Sequence, residues 1–334
     1  MTMLAIEPQP ADERWARIAT HAPVLAATAR DYVDQISVTA RPGTATSADI
    51  ALRLFGSWLI DHDPNVVALR QVNRRHIEHY KLWLTTRENG RGEPLKKTTI
   101  NLRLGMLRVI IERLIEWDHP DAPLRNPIFG TDLPKLDEPL PKFLDDDQAA
   151  KFMAAATRMD PQWRLVIEML ARTGLRVGEF CRLDVDAIIT LGETNWLRVP
   201  VGKLHTDRYV PLHPILIELH TTWRDSAGPD DTGLLITNRG RPLDRYSVSR
   251  AVARCARIAG IGHVHPHQLR HTMATQAINN GMSLEAIAAM LGHRSMRMTL
   301  VYARIADRTV ADQYFAAADK VDQLYTTHLT TSPA

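Results

Sequence analysis

Residues 265–271, His-Pro-His-Gln-Leu-Arg-His, gather three imidazoles around one guanidinium, and the ligand such a group suits decides what kind of domain surrounds it. His267 and His271 are spaced i, i+4, which puts both on one helix face, as a pair of metal ligands would be. Against a metal, Arg270 stands between them with no Asp or Glu nearby, and a fixed cation raises the electrostatic cost of binding another. A phosphate reverses that logic. A guanidinium offers two parallel donors to two non-bridging oxygens, and an imidazole adds a donor or shuttles a proton.

Outward from this stretch, the companions suit an anion too. ARTGLRVGEFCRL (171–183) predicts one helix stopped at Gly174 and another starting near Arg176, where backbone N–H groups and the helix dipole favour negative charge. EAIAAMLGH (285–293) predicts a helix ending at Gly292 that leaves His293 exposed just past its C-terminus, with Tyr302 following in TLVYARI. NWLRVPVGK and RYVPL are β-like and place Lys203 in a hairpin between them. Taken singly, each residue has a plainer role: Tyr302 and Lys203 as amphipathic surface residues, His293 as a helix-terminus histidine, Glu179 as half of an ion pair. Only their ordered conjunction outweighs those roles.

That conjunction resembles the catalytic domain of the tyrosine recombinases, the phage integrase family. The resemblance is carried by TGLRVGE with Arg176, GKLHTDRYVPL with Lys203, HQLRHTMAT with His267 and Arg270, LGHRS with His293, and Tyr302 nine residues further on. It extends more weakly over residues 48 to 125, which resemble the family's helical core-binding domain. It implies site-specific DNA cleavage and rejoining through a 3′-phosphotyrosyl intermediate, in integration, excision, transposition or resolution, with no cofactor, metal or ATP. Tyr302 would be the nucleophile, Arg176 and Arg270 would grip the non-bridging oxygens, and His267 and His293 would be further donors. Lys203 would be the general acid for the leaving 5′-oxygen, with Arg208 as a rival that its high pKa makes poor. Leu204 and Thr206 stand where the family often has a glycine and a second basic residue. Glu179 would hold a catalytic cation in place. His263, His265 and His271 match no obligatory catalytic position and are read as structural or DNA-proximal. The cations are expected to lower the phenol pKa of Tyr302.

The bulk properties are compatible with this reading. At 334 residues the chain exceeds the size of one ordinary core, and its apolar fraction of 45% can bury two. A net charge of +3 permits a polyanionic partner without requiring one. Two cysteines exclude a Cys-rich zinc module, and no apolar run or leader-like start points to a membrane, so the expectation is a cytoplasmic, nucleoid-associated protein. The expected architecture is mostly α with a small antiparallel β-sheet in the second domain, a two-domain DNA clamp. Its segments are an unassigned appendage (1–45), a helical core-binding domain (46–125) whose first helix is capped near Thr46 or Ser47, and a Pro-rich linker (126–145). The catalytic domain (146–308) and a tail helix (309–334) follow.

Arg74, Arg75, Lys96, Lys97 and Arg103 are the candidate DNA contacts of the first domain, although a solvated surface accounts for such a charge run as well. The partners implied are double-stranded DNA and a tetramer on two duplexes, with a second recombinase or an accessory directionality protein left open. In the tail, Val310, Tyr314, Ala317 or Ala318, Val321 and Leu324 form one stripe, for a neighbouring protomer or for the chain's own domain. The rival from another class is a non-catalytic helix-turn-helix regulator, built on residues 282–305 with Gly292 in the turn. It leaves Arg176, Lys203 and HQLRH without a role.

Overall fold

A computed structural model describes residues 11–137, 140–200, 207–227, 232–293, 295–303 and 318. The chain divides into two compact units, Met1–Glu138 and Pro139–Ala334, and the division falls inside the Pro-rich stretch.

In the first unit, α1 (Ala11–His21), α2 (Pro23–Thr39), α3 (Pro42–His62), α4 (Arg74–Thr85) and α5 (Lys97–Glu116) share one hydrophobic core. The expected cap at Thr46 or Ser47 is corrected. Pro42, whose fixed φ suits the first helical position, starts α3 a turn earlier, and the hydroxyls of Thr46 and Ser47 donate to the carbonyls of Pro42 and Gly43 inside the helix. Residues 11–39 are helical as well: Ile18, Leu25 and Ile36 are buried with Leu52, Phe55, Leu104 and Ile111. α2 starts at Pro23 with no side-chain hydrogen bond from its N-cap, Ala22. Two buried carboxylates pin the connections. Asp121 accepts from the Thr28 hydroxyl (2.7 Å) and the Leu69 amide (3.0 Å), and Asp132 accepts from Lys81 (2.7 Å) and from Arg74.

In the second unit, α6 (Asp146–Ala156) and α7 (Pro161–Thr173) lead through the single turn α8 (Val177–Phe180) into the antiparallel sheet of β1 (Ile188–Leu191), β2 (Thr194–Val199) and β3 (Arg208–Pro211). Leu197 of β2 sits opposite Ile188 on one side and Val210 on the other, so the sheet presents an apolar row to the helices. After α9 (Pro214–Ala227) come the two-residue strands β4 (Thr237–Asn238) and β5 (Arg241–Pro242), then α10 (Arg245–Ile258) and α11 (Pro266–Asn279). The chain continues through α12 (Leu284–Leu291) to α13 (Arg297–Ala303). The main core joins Phe152, Leu165, Leu170, Leu197, Val210, Val252 and Leu269. A smaller cluster of Met273, Ile278, Ile287, Leu291 and Tyr302 clasps α11, α12 and α13 together. The fold is thus mostly α with small antiparallel sheets, as the sequence predicts. Apart from Ala318, the tail stripe expected beyond residue 309 lies outside the described residues.

Candidate active site

Two left-handed glycines turn the chain at the site. Gly174 follows α7 at φ 63°, and Met273 Cε and Leu291 Cδ2 lie where a Cβ at this position would need to be. Gly292 follows α12 at φ 62°, with the Arg208 side chain 3.0 Å from where its Cβ would stand. Glycine is required at both positions, for conformation and for space.

Arg270 is buried on α11, at 1% exposure, between these turns. Its Nη1 donates to the Gly174 carbonyl (2.6 Å) and its Nη2 to the Leu291 carbonyl (2.7 Å), at the C-terminal ends of α7 and α12. Those carbonyls carry the negative end of each helix dipole, which helps a cation to exist without water. Burial, reinforced by the charge of Arg176, brings the Arg270 pKa down to about 10, so it stays charged at neutral pH.

Arg176 is the N-cap of α8, as the sequence predicts. Its amide and its Nη1 both donate to Glu179, at 2.9 and 2.8 Å. Glu179 also accepts from Arg208 Nη2 at 2.8 Å, and Arg208 Nε donates to the Met290 carbonyl at 3.0 Å. Burial works to raise the Glu179 pKa, but the hydrogen bonds and charge of Arg208, with those of Arg176, outweigh it and bring it down to about 2. Arg208 therefore braces Glu179 and the end of α12. It is not free to serve as the rival proton donor.

The imidazoles follow a different rule. His265 caps α11, its Nδ1 accepting from the Gln268 amide, and His267 remains open to solvent. The His267 and His271 rings meet edge to face at 4.3 Å. His271 Nδ1 lies 2.9 Å from the Tyr302 hydroxyl, a hydrogen-bonded pair. His293 is half-buried rather than exposed, because Thr299 holds its Nδ1 at 2.8 Å and the Tyr302 ring stacks on it. Burial first, then the neighbouring arginines and imidazoles, lowers the pKa of His293 and His271 to about 4, so both are neutral at pH 7, and the His267 pKa is shifted in the same direction.

Tyr302, 2% exposed, corrects one expectation. Its phenol pKa is raised: burial prevails over the charges of Arg270 and Arg176, which act to lower it. The net character of the site is nonetheless cationic, with three guanidiniums against the one carboxylate of Glu179. Such an arrangement can hold a phosphodiester and supply a nucleophilic oxygen next to it. It does not form a metal site, since His271 turns Nδ1 toward Tyr302, and among the described residues no three His, Cys, Asp or Glu side chains converge.

The structure thus brings together Arg176, Glu179, His267, Arg270, His293 and Tyr302. Lys203 lies outside the described residues. Sequence reasoning missed Thr299, which carries no signal of its own, and the tie of His271 to Tyr302. The signal for His271 was its i, i+4 spacing from His267, there weighed for a metal.

In the first unit, Arg74 is an internal tie: it contacts Asp132 and Glu78, donates to the Pro127 carbonyl and lies over the Phe129 ring. Arg103 is partly buried beside Tyr80, whereas Arg75, Lys96 and Lys97 are exposed.

Comparison with known proteins identifies the family and the fold. Residues 142–309 match the phage integrase family, and residues 24–118 match a phage integrase SAM-like domain. A tyrosine recombinase XerC of Pelobacter propionicus is 30% identical over 285 residues, 84% of this chain and 90% of that protein. A XerC of Corynebacterium glutamicum is 32% identical over 188 residues, 54% of this chain. The match spans 60% of that relative's length, and the same share of a second corynebacterial XerC. Among solved structures, the XerH site-specific recombinase bound to a palindromic difH substrate, in a post-cleavage complex, superposes with a TM-score of 0.70 at 17% identity, covering 94% of this chain and 90% of that one.

Proposed function

Because the chain belongs to the phage integrase family of tyrosine recombinases, we propose that it is a site-specific DNA recombinase that cleaves and rejoins strands through Tyr302. The observation that carries this reading is the placement of the Tyr302 hydroxyl within one cluster with Arg270, Arg176 and the imidazoles. The phenol oxygen attacks the scissile phosphorus and the bond to the 5′-oxygen breaks. A 3′-phosphotyrosyl link is left, together with a free 5′-hydroxyl. The phosphodiester already carries one negative charge and gains more as the fifth ligand enters, and Arg176 and Arg270 offset it. His267 and His293 donate to the same oxygens, and Lys203 protonates the leaving oxygen. Since the protein link conserves the phosphodiester bond, the reverse attack by a 5′-hydroxyl needs no ATP. Exchange between two duplexes, one active site per strand, calls for four protomers.

The helix-turn-helix regulator is not favoured, because the phage integrase match runs over residues 142–309 and so takes in Arg176, Lys203 and HQLRH, to which a regulator gives no role.

The test is covalency. The protein and Tyr302→Phe are incubated with a pool of randomised duplexes nicked so that the 5′-fragment diffuses away, and detergent-resistant adducts are isolated and sequenced. Adducts from the intact tyrosine alone, enriched for one sequence and formed in the presence of chelator, are the expected result. DNA retardation without adducts from either protein would leave the regulator as the reading.

A further inference from the structure

The geometry points to His271 as the group that takes the phenol proton when Tyr302 attacks. This rests on the recombinase reading above and gives His271 a role other than the structural or DNA-proximal one expected from the sequence. Oη and Nδ1 are 2.9 Å apart, within direct proton-transfer distance. The alternatives facing Oη are cations, Arg270 and Arg176, which cannot accept a proton. His293 stacks flat against the Tyr302 ring, the two planes 11° apart, and its Nδ1 is engaged by Thr299. His271 is thus the neutral base aimed at the hydroxyl. With Nδ1 accepting, the tautomer inferred from the hydrogen bond is the Nε2–H form.

His271 also titrates in a suitable place. It faces His267 across an edge-to-face contact, with Arg270 and His265 nearby on α11 and Tyr302 and His293 from the α12–α13 side. Burial first, then His267, Arg270 and His265, hold its pKa at about 4, so Nδ1 is unprotonated at neutral pH. As the Oη–phosphorus bond forms, the phenol proton moves to Nδ1, and His271 becomes an imidazolium beside the pentacoordinate phosphate, whose negative charge stabilises it. The electron pair of the phosphorus–5′-oxygen bond leaves with the 5′-oxygen, which takes its proton from the separate acid. In the reverse reaction His271 returns its proton to Oη. Such a base also resolves the raised pKa of Tyr302, since the phenol never has to exist as a free phenolate.

The test uses the full chain and the nicked duplex most enriched in the adduct selection, comparing wild type, His271→Ala and His271→Asn. Asparagine places an acceptor oxygen near the Nδ1 position but is not basic, so it separates orientation from proton acceptance. Thermal melting and gel retardation establish folding and DNA binding; should His271→Ala fail to fold, His271→Asn carries the test. The expected result is a loss of about 100-fold or more in the cleavage rate at neutral pH for each folded variant. The wild-type rate should be flat between about pH 6 and pH 8, while variant rates climb about tenfold per pH unit as hydroxide replaces the missing base.

A second duplex carries a 5′-bridging phosphorothiolate, whose thiolate leaves without an acid. The variants should stay slow on it, because the deficit is on the nucleophile side. Wild-type rate and a flat profile in either variant would overturn the assignment, as would restoration by the phosphorothiolate. Absence of adducts from wild type itself would instead count against the recombinase reading.

Discussion

Glu179 and Arg208, twenty-nine residues apart, meet through Nη2 and Oε2 at 2.8 Å, and the same carboxylate holds Arg176. One buried acid thus sets the position of two of the three guanidiniums in the site, one of which also secures the end of α12. Its charge makes that arrangement sensitive to acid. The folded pKa of about 2 lies below the ordinary 4.5, so the stabilisation is complete above about pH 4.5 and disappears as pH falls toward 2. With allowance for partial screening, it amounts to about 2 kcal/mol. Glu179→Gln should flatten the acid limb of the stability curve between about pH 5 and pH 3 and lower the cleavage rate roughly 10- to 100-fold. Urea unfolding of both proteins across that range checks the first, and suicide-substrate cleavage the second.

Thr299→Val tests the control of His293. Valine fills the same volume but removes the hydroxyl that engages Nδ1, so the imidazole loses its fixed orientation. Cleavage is expected to fall about tenfold, corresponding to one hydrogen bond of roughly 1 to 1.5 kcal/mol, with DNA retardation unchanged. An unaltered cleavage rate would remove Thr299 from the positioning of His293.

Gly174→Ala should cost about 2 to 4 kcal/mol, combining a left-handed backbone penalty with overpacking against Met273 and Leu291. The carbonyl that receives Arg270 Nη1 belongs to this residue, so activity should fall with stability. Denaturant unfolding together with adduct yield measures both.

Basic residues of the helical unit should separate into two classes. Replacing Arg75, Lys96 or Lys97 by alanine is expected to weaken DNA binding evenly across sequences and to reduce the salt slope by about one for each phosphate that is no longer neutralised. Arg74→Ala should instead destabilise the unit by about 1 to 3 kcal/mol, because Asp132 is buried and is deprived of a partner. Titration of binding against salt, beside thermal melting, distinguishes the classes.

Much of the second unit was legible because the proposed chemistry needs particular residue types at helix ends, and helix ends have strong local signals. Gly174 and Gly292 announced their turns, and Arg176 took its expected N-cap position. The burial of Tyr302 was not legible. It depends on α11, α12 and α13 closing over one apolar cluster, a tertiary fact that reverses the expected direction of the phenol pKa. The tie of Arg74 to Asp132 spans fifty-eight residues, and no local pattern connects them. The helices of residues 11–39 owe their place to tertiary burial against α3 and α5, which no local pattern announces.

The two carbonyls bound by Arg270 have an evolutionary consequence. A lineage that abandoned DNA cleavage could exchange Tyr302 for phenylalanine with little harm to its fold, since of the groups facing the hydroxyl His271 is half-buried and Arg270 keeps both of its carbonyl partners. Losing Arg270 would orphan the ends of α7 and α12 together, deep inside the unit. Inactive descendants of this architecture should therefore retain the arginine long after the tyrosine has drifted. In a distant sequence, the arginine would identify ancestry and the tyrosine would identify activity.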